Sequence, residues 1–195
     1  DYIKKMNKEY SLFYIDNPNN PTGQVIDIAY IETIVKKARD LGRPIVIDEA
    51  YGDFIGNDQS AIKLVGSYDN LIVLRTFSKG LGLAGIRAGY MVASESIIKQ
   101  YRKVSNPYEM NGIARIIVNS AIKDVEFMEN CKNTIKCYKT KMLESLKKLK
   151  ILETHESVPI STIMHPDPNV DLEELLLNYN IISVSGRDFI GLGKN

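Results

Sequence analysis

The stretch Thr76-Phe77-Ser78-Lys79, followed by a glycine-rich segment and then Arg87, gathers two hydroxyls, an amine and a guanidinium. Hydroxyls and a forked guanidinium hold phosphate well, and a lysine beside them presents a nucleophile. Phe77, Leu81, Leu83 and Ala84 give this lysine an apolar neighbourhood. Desolvation lowers a lysine's pKa, so the sequence predicts an amine activated near neutral pH. The plain alternative, a surface lysine, applies to any of the 25 basic residues. Upstream, Ile45-Val46-Ile47-Asp48-Glu49-Ala50-Tyr51 sets a carboxylate at the carboxyl end of an apolar run. Burying that charge is costly unless it meets a partner. Earlier still, Asn17-Pro18-Asn19-Asn20-Pro21-Thr22-Gly23 fixes φ at its prolines, and Gly23 permits a close approach. Asn20 could turn its amide to a ligand there, although an ordinary turn explains the same residues equally well.

Two rival chemistries use parts of this set. Asp48-Glu49 after an apolar strand resembles the magnesium-holding acid of an ATPase, but no G-x-x-x-x-G-K-[ST] loop occurs in the 195 residues. Gly80-Leu81-Gly82-Leu83-Ala84-Gly85 matches G-x-G-x-x-G letter for letter. A dinucleotide site needs a full helix after that motif. The next strand-like run begins at Gly89, which leaves no room for one.

The elements that must position these residues alternate. Residues 12–16 read as a strand, and Asp27 caps a helix to about Asp40 with Ile28, Ile31, Ile34, Val35 and Ala38 at helical spacing. Pro44 to Ile47, Leu71 to Leu74 and Gly89 to Ala93 read as further strands. Such alternation predicts an α/β sheet with its chemistry at the carboxyl ends of the strands. Beyond residue 94 the pattern changes. Helices are expected over 94–104 and 111–122, and a long Lys-rich helix from Asp124 to about Lys150, with Ile135, Met142, Leu143, Leu146 and Leu149 in its stripe. Its lysines from 132 to 150 read as a solvated face. A strand over Val158–Met164, a helix over 171–178 and a strand over Ile181–Val184 complete the prediction.

Composition narrows the classes. With 25 Lys+Arg against 24 Asp+Glu the net charge is +1, which argues against nucleic acid or an anionic membrane as partner. A hydrophobic share of 44% is that of a globular protein, and no apolar run is long enough to span a membrane. Two cysteines and no secretory leader suggest a reducing, cytoplasmic setting. Cys131 and Cys137 read as reduced thiols, His155 and His165 lack metal-spaced partners, and Tyr108 reads as core or rim packing. The chain begins without Met and stops after a Gly-rich turn, so it reads as a piece of a longer protein.

Taken together, N-P-N-N-P-T-G at 17–23, D-E-A-Y at 48–51 and T-F-S-K-G-L-G-L-A-G-I-R-A-G-Y at 76–90 resemble the fold-type I pyridoxal-phosphate aminotransferases. Within them the chain is most similar to the class II subgroup that includes histidinol-phosphate aminotransferase and threonine-phosphate decarboxylase. The resemblance implies an α/β fold, with a mostly parallel sheet in a large domain and a smaller α+β C-terminal domain. Residues 1–122 would belong to the large domain, and 123–195 to the linking helix and small domain. It implies pyridoxal 5'-phosphate as cofactor, a homodimer, and amino transfer between an amino donor and a keto acid, with a histidinol-phosphate couple in histidine biosynthesis as the leading substrate. Decarboxylation of threonine phosphate is the nearest alternative, and a non-catalytic binding module another. By the same resemblance Lys79 would carry the cofactor as a Schiff base and Asp48 would pair with its ring nitrogen. Asn20 and Tyr51 would bond its phenolic oxygen, and Thr76, Ser78 and Arg87 would grip its phosphate. Arg187 could stand in, in a shifted register, for a family arginine that the resemblance places near Ile181–Val184.

Overall fold

In the computed structural model, which describes residues 2–195, a short helix α1 (Tyr2–Lys5) precedes a single four-stranded sheet. The sheet comprises β1 (Phe13–Asp16), β2 (Ile45–Asp48), β3 (Leu71–Thr76) and β4 (Gly89–Ala93), hydrogen-bonded in that order. β1, β2 and β3 run parallel, and β4 joins β3 antiparallel, so the sheet is mostly parallel as expected. The crossover between β1 and β2 is α2 (Ile28–Asp40). Asp27 starts it by accepting a hydrogen bond from the Ala29 amide at 2.8 Å. Gly42, at φ +69°, takes the left-handed turn that leads out of it. The apolar stripe Ile31, Ile34, Val35 and Ala38 is fully buried against the sheet.

Strand alternation then sorts the sheet's side chains. Phe13, Ile15, Ile45, Ile47, Leu71 and Val73 point into the core beneath α2. Register pairs Asp16 with Asp48 and Asp48 with Leu74, which lines up the carboxyl ends of the three parallel strands. The functional loops leave from that edge.

The second half follows the expected order with several corrections. Helices α3 (Glu95–Tyr101), α4 (Gly112–Ala121), α5 (Val125–Ser145) and α6 (Leu172–Leu177) form, and β5 (Lys150–Ile151) pairs antiparallel with β6 (Ile163–Met164). The long helix stops at Ser145, not Lys150. Ser145 turns its hydroxyl back to the Met142 carbonyl at 2.6 Å, competing with the helical pattern at the last turn. The lysine face is not uniformly solvated either. Lys139 is 8% exposed. Its ammonium donates to the carbonyls of His155, Val158 and Ile160 at 2.8, 2.9 and 2.9 Å. Those carbonyls are thereby withdrawn from a ladder, and the strand expected over Val158–Met164 shrinks to its last two residues. Residues 181–184 form no strand. β5 and β6 pair only with each other, and Ile182 and Val184 are left exposed. Tyr108, expected to pack, is 86% exposed.

Candidate active site

The edge of the sheet delivers most of the singled-out residues to one place. A cavity of about 320 Å³ is lined by Asp48, Ala50, Leu74, Arg75, Thr76, Ser78, Arg87, Ala88 and Gly89. Asp48 stands at its β2 end, where one carboxylate oxygen accepts from the Ala50 amide at 2.9 Å. The other oxygen accepts a hydrogen bond from the Tyr14 hydroxyl of β1. Thr76 Oγ1 lies 2.8 Å from Ser78 Oγ and accepts from the Ser78 amide at 3.1 Å. Arg87 takes a left-handed backbone, φ +57°. Its guanidinium donates to the Ala84 carbonyl at 3.0 Å. A carboxylate at one end, with two hydroxyls and a guanidinium at the other, is a donor set suited to a cationic ring nitrogen and a phosphate on one small molecule.

Lys79 sits in the loop between β3 and β4 with its ammonium 5.3 Å from the centre of the Tyr51 ring. The apolar enclosure expected around it does not close. Lys79 and Ala84 are exposed, and Phe77 stacks on Tyr90 with ring centres 5.4 Å apart rather than over the amine. Gly80–Gly85 leads through a single turn, Ala84–Ile86, straight into β4, which leaves no dinucleotide-binding helix.

Asn20 lines a second cavity, of about 410 Å³, that shares no lining residue with the first. Its loop is held from inside. The buried Asn17 side chain accepts from the Ile26 amide at 2.8 Å and donates to the Ile26 carbonyl at 3.1 Å. The Asn20 backbone N–H donates to Asp16 Oδ2 at 2.9 Å, and both Asn17-Pro18 and Asn20-Pro21 are cis. The far wall belongs to the C-terminal segment, including Ser161, Thr162 and Asn195. Thr162 donates to the Pro21 carbonyl at 2.8 Å. Gly23, at φ +71°, packs so closely that an added Cβ would lie 2.6 Å from the Ile160 carbonyl oxygen. Arg187 does not line this cavity. It pairs with Asp171, the cap of α6, and so is occupied locally.

Three features escaped the sequence reading. Tyr14 is the first. Partial burial, then the bond to Asp48, raise its phenol above the ordinary value. The second is a buried cluster behind the site. Arg75 Nε donates to Glu49 at 2.8 Å, one terminal nitrogen donates to Asp53 at 2.9 Å, and the other donates to Ser60 at 3.1 Å. Glu49 also accepts from Ser60 Oγ at 2.8 Å and from the Ala61 amide at 2.6 Å. Glu49 is thus buried and paired with Arg75, turned away from the cavity that Asp48 lines. Burial pushes the Asp53 carboxyl above its usual range, and Arg75 pulls it back. The third is the Lys139 anchor. Signals for two of the three were present in the sequence. Arg75 continues the inward alternation of Leu71 and Val73, and Tyr14 shares a sheet face with Asp16.

A mostly parallel sheet with an amine, a carboxylate and a phosphate-type donor set at its carboxyl edge defines a cofactor-dependent α/β enzyme fold. The family model "Aminotransferase class I and II" matches residues 1–190, and the chain belongs to that family. The histidinol-phosphate aminotransferase of Clostridium novyi is 31% identical over 180 residues, which are 92% of this chain and 49% of the relative. The crystal structure of the histidinol-phosphate aminotransferase from Clostridium acetobutylicum superposes with a TM-score of 0.85 at 24% identity, covering 95% of this chain and 57% of that one. L-threonine-O-3-phosphate decarboxylase from Porphyromonas gingivalis shares the fold with a TM-score of 0.76 at 20% identity, covering 100% of this chain and 60% of that one. The chain thus spans about half the length of the relatives it matches. Membership bears out the α/β fold class and pyridoxal phosphate as the cofactor.

Proposed function

We propose that this chain supplies the lysine-bearing part of a pyridoxal-phosphate aminotransferase acting on histidinol phosphate and a keto acid. The observation that carries the reading is the cavity in which Asp48, Thr76, Ser78 and Arg87 converge, with Lys79 and Tyr51 beside it. The substrate assignment is supported by the histidinol-phosphate aminotransferases among the similar proteins.

Pyridoxal phosphate, when bound, supplies an aldehyde carbon and an electron-withdrawing ring. The chain's residues divide the remaining work. Lys79 holds the cofactor through its amine and later moves a proton to and from the substrate's α-carbon. Asp48 keeps a proton on the ring nitrogen by presenting a carboxylate already steadied by the Ala50 amide and Tyr14. Thr76, Ser78 and Arg87 bind the phosphate, Arg87 through a charge-assisted fork. Tyr51 and Asn20 orient the phenolic oxygen.

Residues 1–122 we assign to the large cofactor-binding domain, since the four-stranded sheet lies wholly within them, and 123–195 to the linking helix and small domain. The enzyme is a cytoplasmic homodimer in this reading. Val104, Tyr108, Ile113 and Ile116, all exposed and apolar, support a subunit interface over that stretch.

The test is the visible absorption of the full-length protein before and after histidinol phosphate is added. A cofactor band that histidinol phosphate bleaches supports both cofactor and substrate. A band that responds only to threonine phosphate or other amino acids overturns the substrate, and the lack of any band with added pyridoxal phosphate overturns the function.

A further inference from the structure

The Glu49–Arg75–Asp53 cluster has no role assigned above, yet it adjoins four of the residues assigned to the cofactor, and Arg75 lines their cavity. Glu49 follows Asp48, Gly52 follows Tyr51, Arg75 precedes Thr76, and Gly80 follows Lys79. Gly52 and Gly80 both abut the cluster. A Cβ built on Gly52 would lie 2.8 Å from the Arg75 guanidinium carbon and 2.9 Å from Glu49 Cβ. A Cβ on Gly80 would lie 2.5 Å from Asp53 Oδ2 and 2.6 Å from Asp53 Cβ. Neither glycine has φ in the left-handed region, so the backbone itself would accept alanine at both. It is the cluster that excludes a side chain there.

We propose that Glu49, Arg75 and Asp53 are positioning residues that hold Asp48 and Lys79 at a fixed separation. The exposed lysine loop has Asp53 as a rigid stop, and Asp53 is fixed in turn by Arg75. Arg75 is clamped to Glu49 and Ser60, and Glu49 is tied by the Ala61 amide. The path from the carboxylate to the lysine therefore runs Asp48, Glu49, Arg75, Asp53, Gly80, Lys79. Every non-covalent link in it is either an ion pair or a direct packing contact. The Arg75–Glu49 pair is rigid because it is buried and any other arrangement leaves a charge without a partner, and Arg75 in turn holds the partly exposed Asp53.

The inference rests on Lys79 and Asp48 acting as assigned above, and the experiment separates the two claims. In the wild-type full-length holoenzyme, borohydride reduction followed by peptide mass mapping should find the cofactor on Lys79. Finding it elsewhere overturns the site assignment whatever the variants do. With Lys79 established, Gly80→Ala should lower kcat roughly 10²-fold, as expected of a misplacement near 1 Å. It should also shift the pH midpoint of the visible cofactor band, with a much smaller change in KM. Asp53→Ser, which keeps the packing of Cβ against Gly80 but removes the carboxylate that Arg75 holds, should by itself lower kcat and shift the midpoint in the same direction. Asp53→Glu, which extends a side chain from a half-buried turn toward Gly80, should reproduce the kcat loss and the band shift without altering Gly80. If Gly80→Ala or Asp53→Glu leaves both kcat and the midpoint unchanged, the proposal is overturned. An Asp53→Ser variant that keeps both at their wild-type values overturns it equally.

Discussion

The two faces of the four-stranded sheet carry opposite duties, although the same strands build both. On the inner face Ile45, Ile47, Leu71 and Val73 are fully buried under α2, which itself contributes Ile31, Ile34, Val35 and Ala38. On the outer face Tyr14, Asp16, Asp48, Leu74 and Thr76 are exposed or half-buried. Consecutive side chains of a strand point to opposite sides, so a single residue step separates the core from the chemistry. Arg75 is instructive because it is the polar member of the inner face, and it is tolerated there only because carboxylates meet it. Arg75 aside, stability and function can thus be changed almost independently in one short strand.

The sharpest test of that division lies at its functional end. Lys79→Ala should abolish turnover and covalent retention of the cofactor. Because Lys79 is exposed, unfolding free energy should move by no more than about 0.5 kcal/mol. Urea titration with the cofactor removed from both proteins checks the second half, and a large loss of stability would break the comparison. At the opposite face, Leu71→Ala removes a fully buried side chain and should cost about 2–5 kcal/mol. Cofactor affinity measured well below the unfolding transition should stay near the wild-type value. Affinity that falls in step with stability would mean that the faces are coupled.

The inner face was legible in the sequence because periodicity reports burial directly. The stripe 31, 34, 35, 38 and the runs at 45–47 and 71–74 could belong only to elements packed on each other. The site was legible as a set of residue types, since amine, carboxylate, hydroxyls and guanidinium come in short ordered motifs. What stayed hidden depends on contacts between distant segments. That Lys139 would leave the solvated lysine face follows from three carbonyls of residues 155–160 converging on it, and no helical pattern announces them. That Lys79 would lie open follows from Phe77 choosing Tyr90 as its stacking partner. Short strands were misjudged for the same reason, because 181–184 has strand composition but no strand beside it.

Lys139 offers an intermediate case, away from both sheet faces. Lys139→Met keeps the stem's packing but leaves buried carbonyls unpaired, which should cost about 1–3 kcal/mol. The two-face picture predicts that covalent cofactor retention on Lys79 is untouched. The anchored segment does reach the Asn20 loop, through the bond from the His155 amide to the Gly23 carbonyl and from Thr162 to Pro21. A selective rise in KM with kcat unchanged would therefore sharpen the comparison, by tying the anchored segment to binding and not to the chemical step.

The smallest effect concerns pH, at the same anchored segment. Burial lowers the His155 pKa below its ordinary 6.5, with Lys139 and Lys136 adding to the shift and Glu156 opposing it. The folded protein then binds fewer protons at this site than the unfolded chain, so stability from His155 is complete above pH 6.5 and declines as pH falls toward the folded pKa. Glu156, held below its usual range by Lys136, contributes with the same sign at lower pH: its stability is complete above about pH 4.5 and is lost as pH falls further. Unfolding free energies measured between about pH 5 and pH 7 therefore separate the histidine from Glu156. His155→Gln should flatten the slope in that interval, while the pH dependence of the visible cofactor band stays as in the wild type. A band that moved with the histidine would tie the C-terminal segment to the chemistry at the sheet edge, and would break the separation between what holds this chain together and what it does.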